Sequence, residues 1–150
     1  MKYKLICIIA IFLSYPISTE ALTKRDIAKI HVKRWELVEL QIPSTGRIIS
    51  AKELCGSNYA PSIDFKTDGK FSGGICCNFF NGQYRFSSAE PRLIIESNSF
   101  SALACIPEPS LNELELISKL HGDIEVNLSN SELSLRPLIG DVVLRYQILN

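Results

Sequence analysis

The chain has 150 residues, with 16 basic and 16 acidic side chains and 46% hydrophobic residues. A chain of this size can bury one core but not two. Its balanced charge offers no basic face, which argues against nucleic acid or an anionic membrane surface as a partner.

Lys2 and Lys4 precede an apolar run from Leu5 to Leu13, which Tyr15-Pro16 interrupts before small or polar residues lead to Ala21. That order is the pattern of a secretory signal peptide, residues 1–21, with cleavage expected after Ala21 because Thr19 and Ala21 are small. The apolar stretch to Ile17 is about 13 residues, against roughly 20 for a bilayer-spanning helix, so no stable membrane span is expected. Cys7 opens the apolar run instead of following it and is preceded by Ile6, so it reads as part of the discarded peptide and not as a lipid-attachment site.

The expected location is periplasmic or secreted, an oxidising space. Four cysteines remain there: Cys55, Cys76, Cys77 and Cys105. An even number in a small exported domain points to disulfides. Neighbouring residues on a strand face opposite ways, so Cys76 and Cys77 should reach different partners. Two of the three connectivities remain, and the expected one joins Cys77 to Cys105 and Cys55 to Cys76. Zinc is not expected, because no Cys-x-x-Cys pair is present.

Along the chain, residues 22–32 form an N-terminal segment expected to fray from Leu22 to about Lys29, with His31 solvated. Arg34 to Leu40 reads as a strand whose faces are imperfectly sorted: Trp35, Leu37 and Glu39 alternate with Glu36, Val38 and Leu40. Pro43-Ser44-Thr45-Gly46 turns the chain into a weak strand at Arg47 to Ser50, and Cys55 to Pro61 reads as loop. Ser62 to Lys66 and Lys70 to Ile75 form a hairpin about Asp68-Gly69. Asn81-Gly82 signals another turn between Cys76–Phe80 and Gln83–Ser87, and a strand at Arg92 to Glu96 follows Pro91. The best helix spans about 110–121, with Ser110 and Glu113 as a capping box and Lys119, His121 and Gly122 as its cationic stop. Beyond it Ile124, Val126 and Leu128, then Leu133 and Leu135, then Val142, Leu144, Tyr146 and Ile148 alternate as strands. The expected fold class is α+β, mostly β: an antiparallel, curled or partly open barrel sheet packed on one main helix.

Arg34-Trp35-Glu36-Leu37, Ile63-Asp64-Phe65, Gly69-Lys70-Phe71-Ser72-Gly73 and Cys77-Asn78-Phe79-Phe80-Asn81-Gly82-Gln83-Tyr84 together resemble the META domain, the family of the heat-shock protein HslJ. Ala104-Cys105, Ser110-Leu111-Asn112-Glu113-Leu114 and Leu133-Ser134-Leu135 follow in the same order, so the resemblance covers residues 33–148. Two departures stand out: Cys76 replaces the family's usual Gly, and Ser101 stands where a Thr leads into Ala-Cys. Cys55 and Cys76 then read as an extra bond. The resemblance implies a β-rich barrel closed by a helix, and an envelope or secreted protein tied to stress, virulence or motility. It implies no enzymatic activity.

The residues themselves present no catalytic site. Cys77 and Asn78 with His121 carry no signature of a thiol enzyme, no Gly-x-Ser-x-Gly is present, and Glu113 and Glu115 face different sides of a helix. Gly73-Gly74 lacks the length and the Lys of a phosphate loop. The aromatic group Phe79, Phe80 and Tyr84 is the candidate contact for a partner or apolar ligand, because alternation must turn either Phe79 or Phe80 outward. The expectation is a non-enzymatic, stress-related protective or binding module, monomeric and without cofactor, whose partner is an unknown protein or hydrophobic ligand. The alternative is a pilot-like secretion or assembly accessory, or a virulence-associated secreted protein.

Overall fold

The computed structural model describes residues 20–57, 59–101, 103 and 118–149. The expected signal peptide, Cys105 and most of the expected 110–121 helix lie outside the described residues.

The N-terminal segment is ordered, contrary to expectation. Thr23 caps helix α1 (Lys24–His31): its side chain accepts from the Asp26 backbone N–H, and the Asp26 carboxylate accepts from the Thr23 N–H. This capping box uses Asp where Glu is usual. Ile30 is fully buried, and its carbonyl accepts the indole N–H of Trp35 at 3.1 Å. The polar composition of α1 hides this anchoring, because one buried residue makes a weak apolar period.

The strands are β1 (Arg34–Ile42), β2 (Arg47–Ser50), β3 (Ser62–Phe65), β4 (Lys70–Ile75), β5 (Asn78–Phe86), β6 (Arg92–Phe100), β7 (Gly122–Leu128), β8 (Glu132–Pro137) and β9 (Val143–Ile148). Every pairing is antiparallel. β3 to β9 follow one another in order, and β1 pairs with both β3 and β9. Eight strands therefore form a closed barrel, which corrects the expectation of a partly open one. The nine residues of β1 are long enough to meet β9 along one edge and two strands along the other. Its residues 34–36 pair with β3, and its residues 39–42 pair with β2. Helix α2 (Ala51–Cys55), capped by Ser50, carries the chain from β2 toward β3; it takes in only Cys55 of the loop expected from Cys55 to Pro61, and residues 56, 57 and 59–61 lie outside helix and strand. Among the described residues, α1 and α2 are short, with eight and five residues, and Ser118 and Lys119 are helical, at the end of the expected 110–121 helix. Among the described residues, strand side chains form most of the core.

The mixed faces of β1 have a physical cause. The register to β9 shifts between Leu37 and Glu39, leaving Val38 as the extra residue of a β-bulge. A bulge inverts the alternation, so Trp35, Leu37 and Leu40 all point inward despite their uneven spacing. A second shift, between Gln83 and Tyr84 opposite Ile95 and Ser97, adjusts β5 against β6.

Asn81-Gly82 is not a turn. Both residues run through the middle of β5, Asn81 opposite Ser72 and Gly82 opposite Phe71. Gly82 is there for space: a Cβ at that position would lie 1.9 Å from the Ser97 carbonyl oxygen and 2.7 Å from the Phe71 ring. Gly73 likewise leaves room for the Phe80 ring. Two glycines thus admit two phenyl rings into a narrow barrel.

Candidate functional site

The turn that replaces Asn81-Gly82 lies at the cysteines. Ile75 pairs with Asn78, so Cys76-Cys77 is the two-residue connection between β4 and β5. Cys76 has φ +50°, a left-handed conformation suited to hairpin turns and costly for a side chain. It is disulfide-bonded to Cys55 at the end of α2, as expected, although the two cysteines diverge by turn geometry and not by strand alternation. Cys77 is also disulfide-bonded; Cys105, its expected partner, lies outside the described residues.

Asn78 is 1% exposed. Its side-chain N–H donates to the Leu103 carbonyl at 3.0 Å, and its Oδ1 accepts from the Leu103 N–H at 2.7 Å and from the Ser101 hydroxyl at 2.9 Å. The Ser101 hydroxyl also accepts the Phe79 N–H. This network fastens the start of β5 to the segment after β6. It engages Asn78 in holding the hairpin, and Cys77 has no free thiol.

Phe79 points outward on that fastened hairpin and is 69% exposed, whereas Phe80 is 4% exposed. Phe100 and Leu103, on the adjoining segment, are exposed too. Phe80 and Tyr84 cannot offer contact surface, which corrects their expected role. They share the inward phase of β5, where Phe80 meets Phe71, and Tyr84 meets Phe65, Phe71 and Phe86.

Tyr84 donates its hydroxyl proton to the Lys66 carbonyl at 2.8 Å, and the same oxygen lies 2.7 Å from His31 Nε2. With the phenol proton committed, His31 donates, so its neutral form carries the proton on Nε2. Burial, and next the Asp68 and Asp64 carboxylates, push the Tyr84 phenol up to about 12. Partial burial lowers the His31 pKa below its ordinary 6.5. The expectation that His31 is solvated is corrected: it ties α1 to the barrel.

The space beside Leu37, Ile75, Phe80 and Tyr146 measures about 10 Å³, at the lower limit for a single water. The larger concavity lies on the outer wall, a cleft of about 520 Å³ between the β1 bulge, α2, the segment that follows α2, and the end of β9. Val38, Pro61, Ile148 and Leu149 contribute apolar lining, and Glu36, Lys52, Ser57, Tyr59 and Gln147 contribute polar groups. Sequence reasoning missed this cleft because it joins residues from three distant stretches; the broken alternation at Val38 was its one local sign. Among the described residues no group of acidic, histidine or cysteine side chains is arranged to hold a metal, and no helix is long and apolar enough to cross a membrane.

Comparison with solved structures gives the same barrel. The chain is similar to a protein solved by NMR, at 22% identity over 81% of this chain and 92% of the other, with a TM-score of 0.59. A Burkholderia xenovorans protein solved by NMR aligns at 14% identity over 91% and 95%, with a TM-score of 0.63. A DUF4847 family protein from Bacteroides vulgatus aligns at 15% identity over 80% and 94%, with a TM-score of 0.53. No curated protein matches. The META domain family matches residues 28–148. Covering most of the chain, and agreeing with the Trp35, Cys77-Asn78 and Leu133-Ser134-Leu135 motifs now placed in one barrel, this match shows that the chain belongs to the META domain family.

Proposed function

We propose that this protein is an exported, non-enzymatic binding module of the HslJ-like, stress-related kind, which meets a partner protein on its outer surface at the disulfide-stapled β4–β5 hairpin. The observation that carries this reading is Phe79, a large aromatic side chain 69% exposed on an element pinned by the Cys55–Cys76 bond and by Asn78. An exposed aromatic on a rigid support loses little entropy on binding and is the kind of residue that dominates protein interfaces. The space among the described residues beside Leu37, Ile75, Phe80 and Tyr146 is only about 10 Å³, which favours contact on the outside of the barrel. The disulfide-bonded cysteines Cys55, Cys76 and Cys77 suit an oxidising compartment, periplasmic or secreted.

Phe79→Ser tests the proposal without touching the core. The variant should unfold within a few degrees of the wild type and lose recovery of the partner from native envelope extracts. Equal recovery by both proteins removes Phe79 from the contact. Phe80 is unsuitable for this test, because its buried ring packs on Phe71.

A further inference from the structure

We infer that the cleft on the outer wall beside the β1 bulge is a binding site for a short zwitterionic peptide, its ammonium at Glu36, its carboxylate at Lys52 and its apolar side chains on Val38, Ile148 and Leu149. The site is separate from the Phe79 surface.

Three observations lead there. The first is size and form: about 520 Å³ falls in the range of small-ligand sites, against about 10 Å³ for the space among the described residues beside Leu37 and Phe80. The second is charge. Most acidic and basic side chains along the strands neutralise one another, as Arg145 does with Glu39 and Glu132, Arg85 with Glu96, and Arg136 with Glu125. Glu36 and Lys52 line one cleft, and neither forms an ion pair or side-chain hydrogen bond among the described residues. One acid and one base on an apolar floor match a dipolar ligand. A simple fatty acid would suit Lys52 but would set its apolar body beside the Glu36 carboxylate.

The third observation is preorganisation. Val38, the extra residue of the bulge, lines the cleft, and bulges recur in strands next to sites. The opposite wall is held at both ends: Ser50 caps α2, and Cys55 joins its last residue to Cys76. The Leu37 N–H donates to the Pro61 carbonyl at 2.8 Å, which fixes the far end of the connecting segment against β1. A wall anchored at three points needs little reordering when a ligand enters.

The experiment uses tri-leucine as probe, with its N-acetylated and C-amidated forms, titrated into the oxidised protein and followed by amide NMR shifts. Tri-leucine should shift resonances of Glu36, Val38, Lys52 and Gln147 saturably, and each blocking group should weaken binding about tenfold, the effect of one lost charge-assisted contact. Glu36→Gln should lose the penalty for acetylation but keep that for amidation, and Lys52→Met the reverse. Phe79→Ser should bind tri-leucine as the wild type does, so failure of the hairpin surface and failure of the cleft are told apart. Absence of saturable shifts, equal binding of blocked and free peptide, or tighter binding of laurate than of tri-leucine would each overturn the proposal.

Discussion

The Cys55–Cys76 bond and the conformation of Cys76 make a quantitative pair of predictions. The bond joins residues 21 apart, and the loop-closure entropy it removes from the unfolded chain corresponds to about 3 kcal/mol. Cys76 sits at φ +50°, where a residue with a Cβ costs about 1–2 kcal/mol that glycine avoids. The bond thus offsets a strained turn residue. We compare Cys55→Ala/Cys76→Ala with Cys55→Ala/Cys76→Gly, using alanine at position 55 because that site is buried. Thermal unfolding can be followed by the fluorescence of Trp35, the single tryptophan, which is fully buried. At roughly 3–5 °C per kcal/mol for a domain of this size, the double alanine variant should unfold about 10 °C or more below the wild type. The glycine variant should recover about 1 kcal/mol, or roughly 3–5 °C of that loss. Identical unfolding temperatures for the two variants would refute the strain argument. A double alanine variant within about 3 °C of the wild type would refute the entropic one.

Gly82→Ala should destabilise by about 3 kcal/mol, because its Cβ must displace the Ser97 backbone or the Phe71 ring; a denaturant midpoint close to that of the wild type would show that β5 can move aside. Asn78→Ala should cost about 2–3 kcal/mol, since it leaves the Leu103 backbone groups without their partner, and hydrogen exchange at Leu103 should accelerate; unchanged exchange would mean the network is not holding that segment. The His31 pKa is lowered in the folded state, so its contribution is complete above about pH 6.5 and is lost as pH falls through that value, where the unfolded chain takes up the proton first. His31→Gln should therefore remove part of the stability slope between about pH 7 and 5; parallel pH–stability curves for variant and wild type would exclude His31 as the titrating group.

Alternation along single strands was legible in the residues. Ile124-Glu125-Val126 and Leu133-Ser134-Leu135 needed only the two-residue period of an extended chain to assign their buried faces, and Asp68-Gly69 marked its turn by the positive φ that glycine permits. The ordered motifs from Trp35 to Leu135 carried the family. So did the reading that Phe79 and Phe80 must part, because neighbours on a strand cannot share a face.

What escaped depended on residues far apart in the chain. Asn81-Gly82 has the composition of a turn, and only the Phe71 ring and the Ser97 carbonyl explain why a glycine stands inside a strand. Val38 spoils the period of β1 because β9 requires a bulge there. His31 looks solvated until Tyr84, distant in sequence, is placed within hydrogen-bonding reach. Closure is of the same kind: β1 meets β9 only when all the intervening strands have curled by their shared twist, a property of the assembled sheet and not of any segment. The outer cleft follows from that closure, since it brings Glu36, Lys52 and Gln147 to one place. Local periodicity determined which faces are buried; the joining of first strand to last decided what those faces enclose and what remains outside to bind.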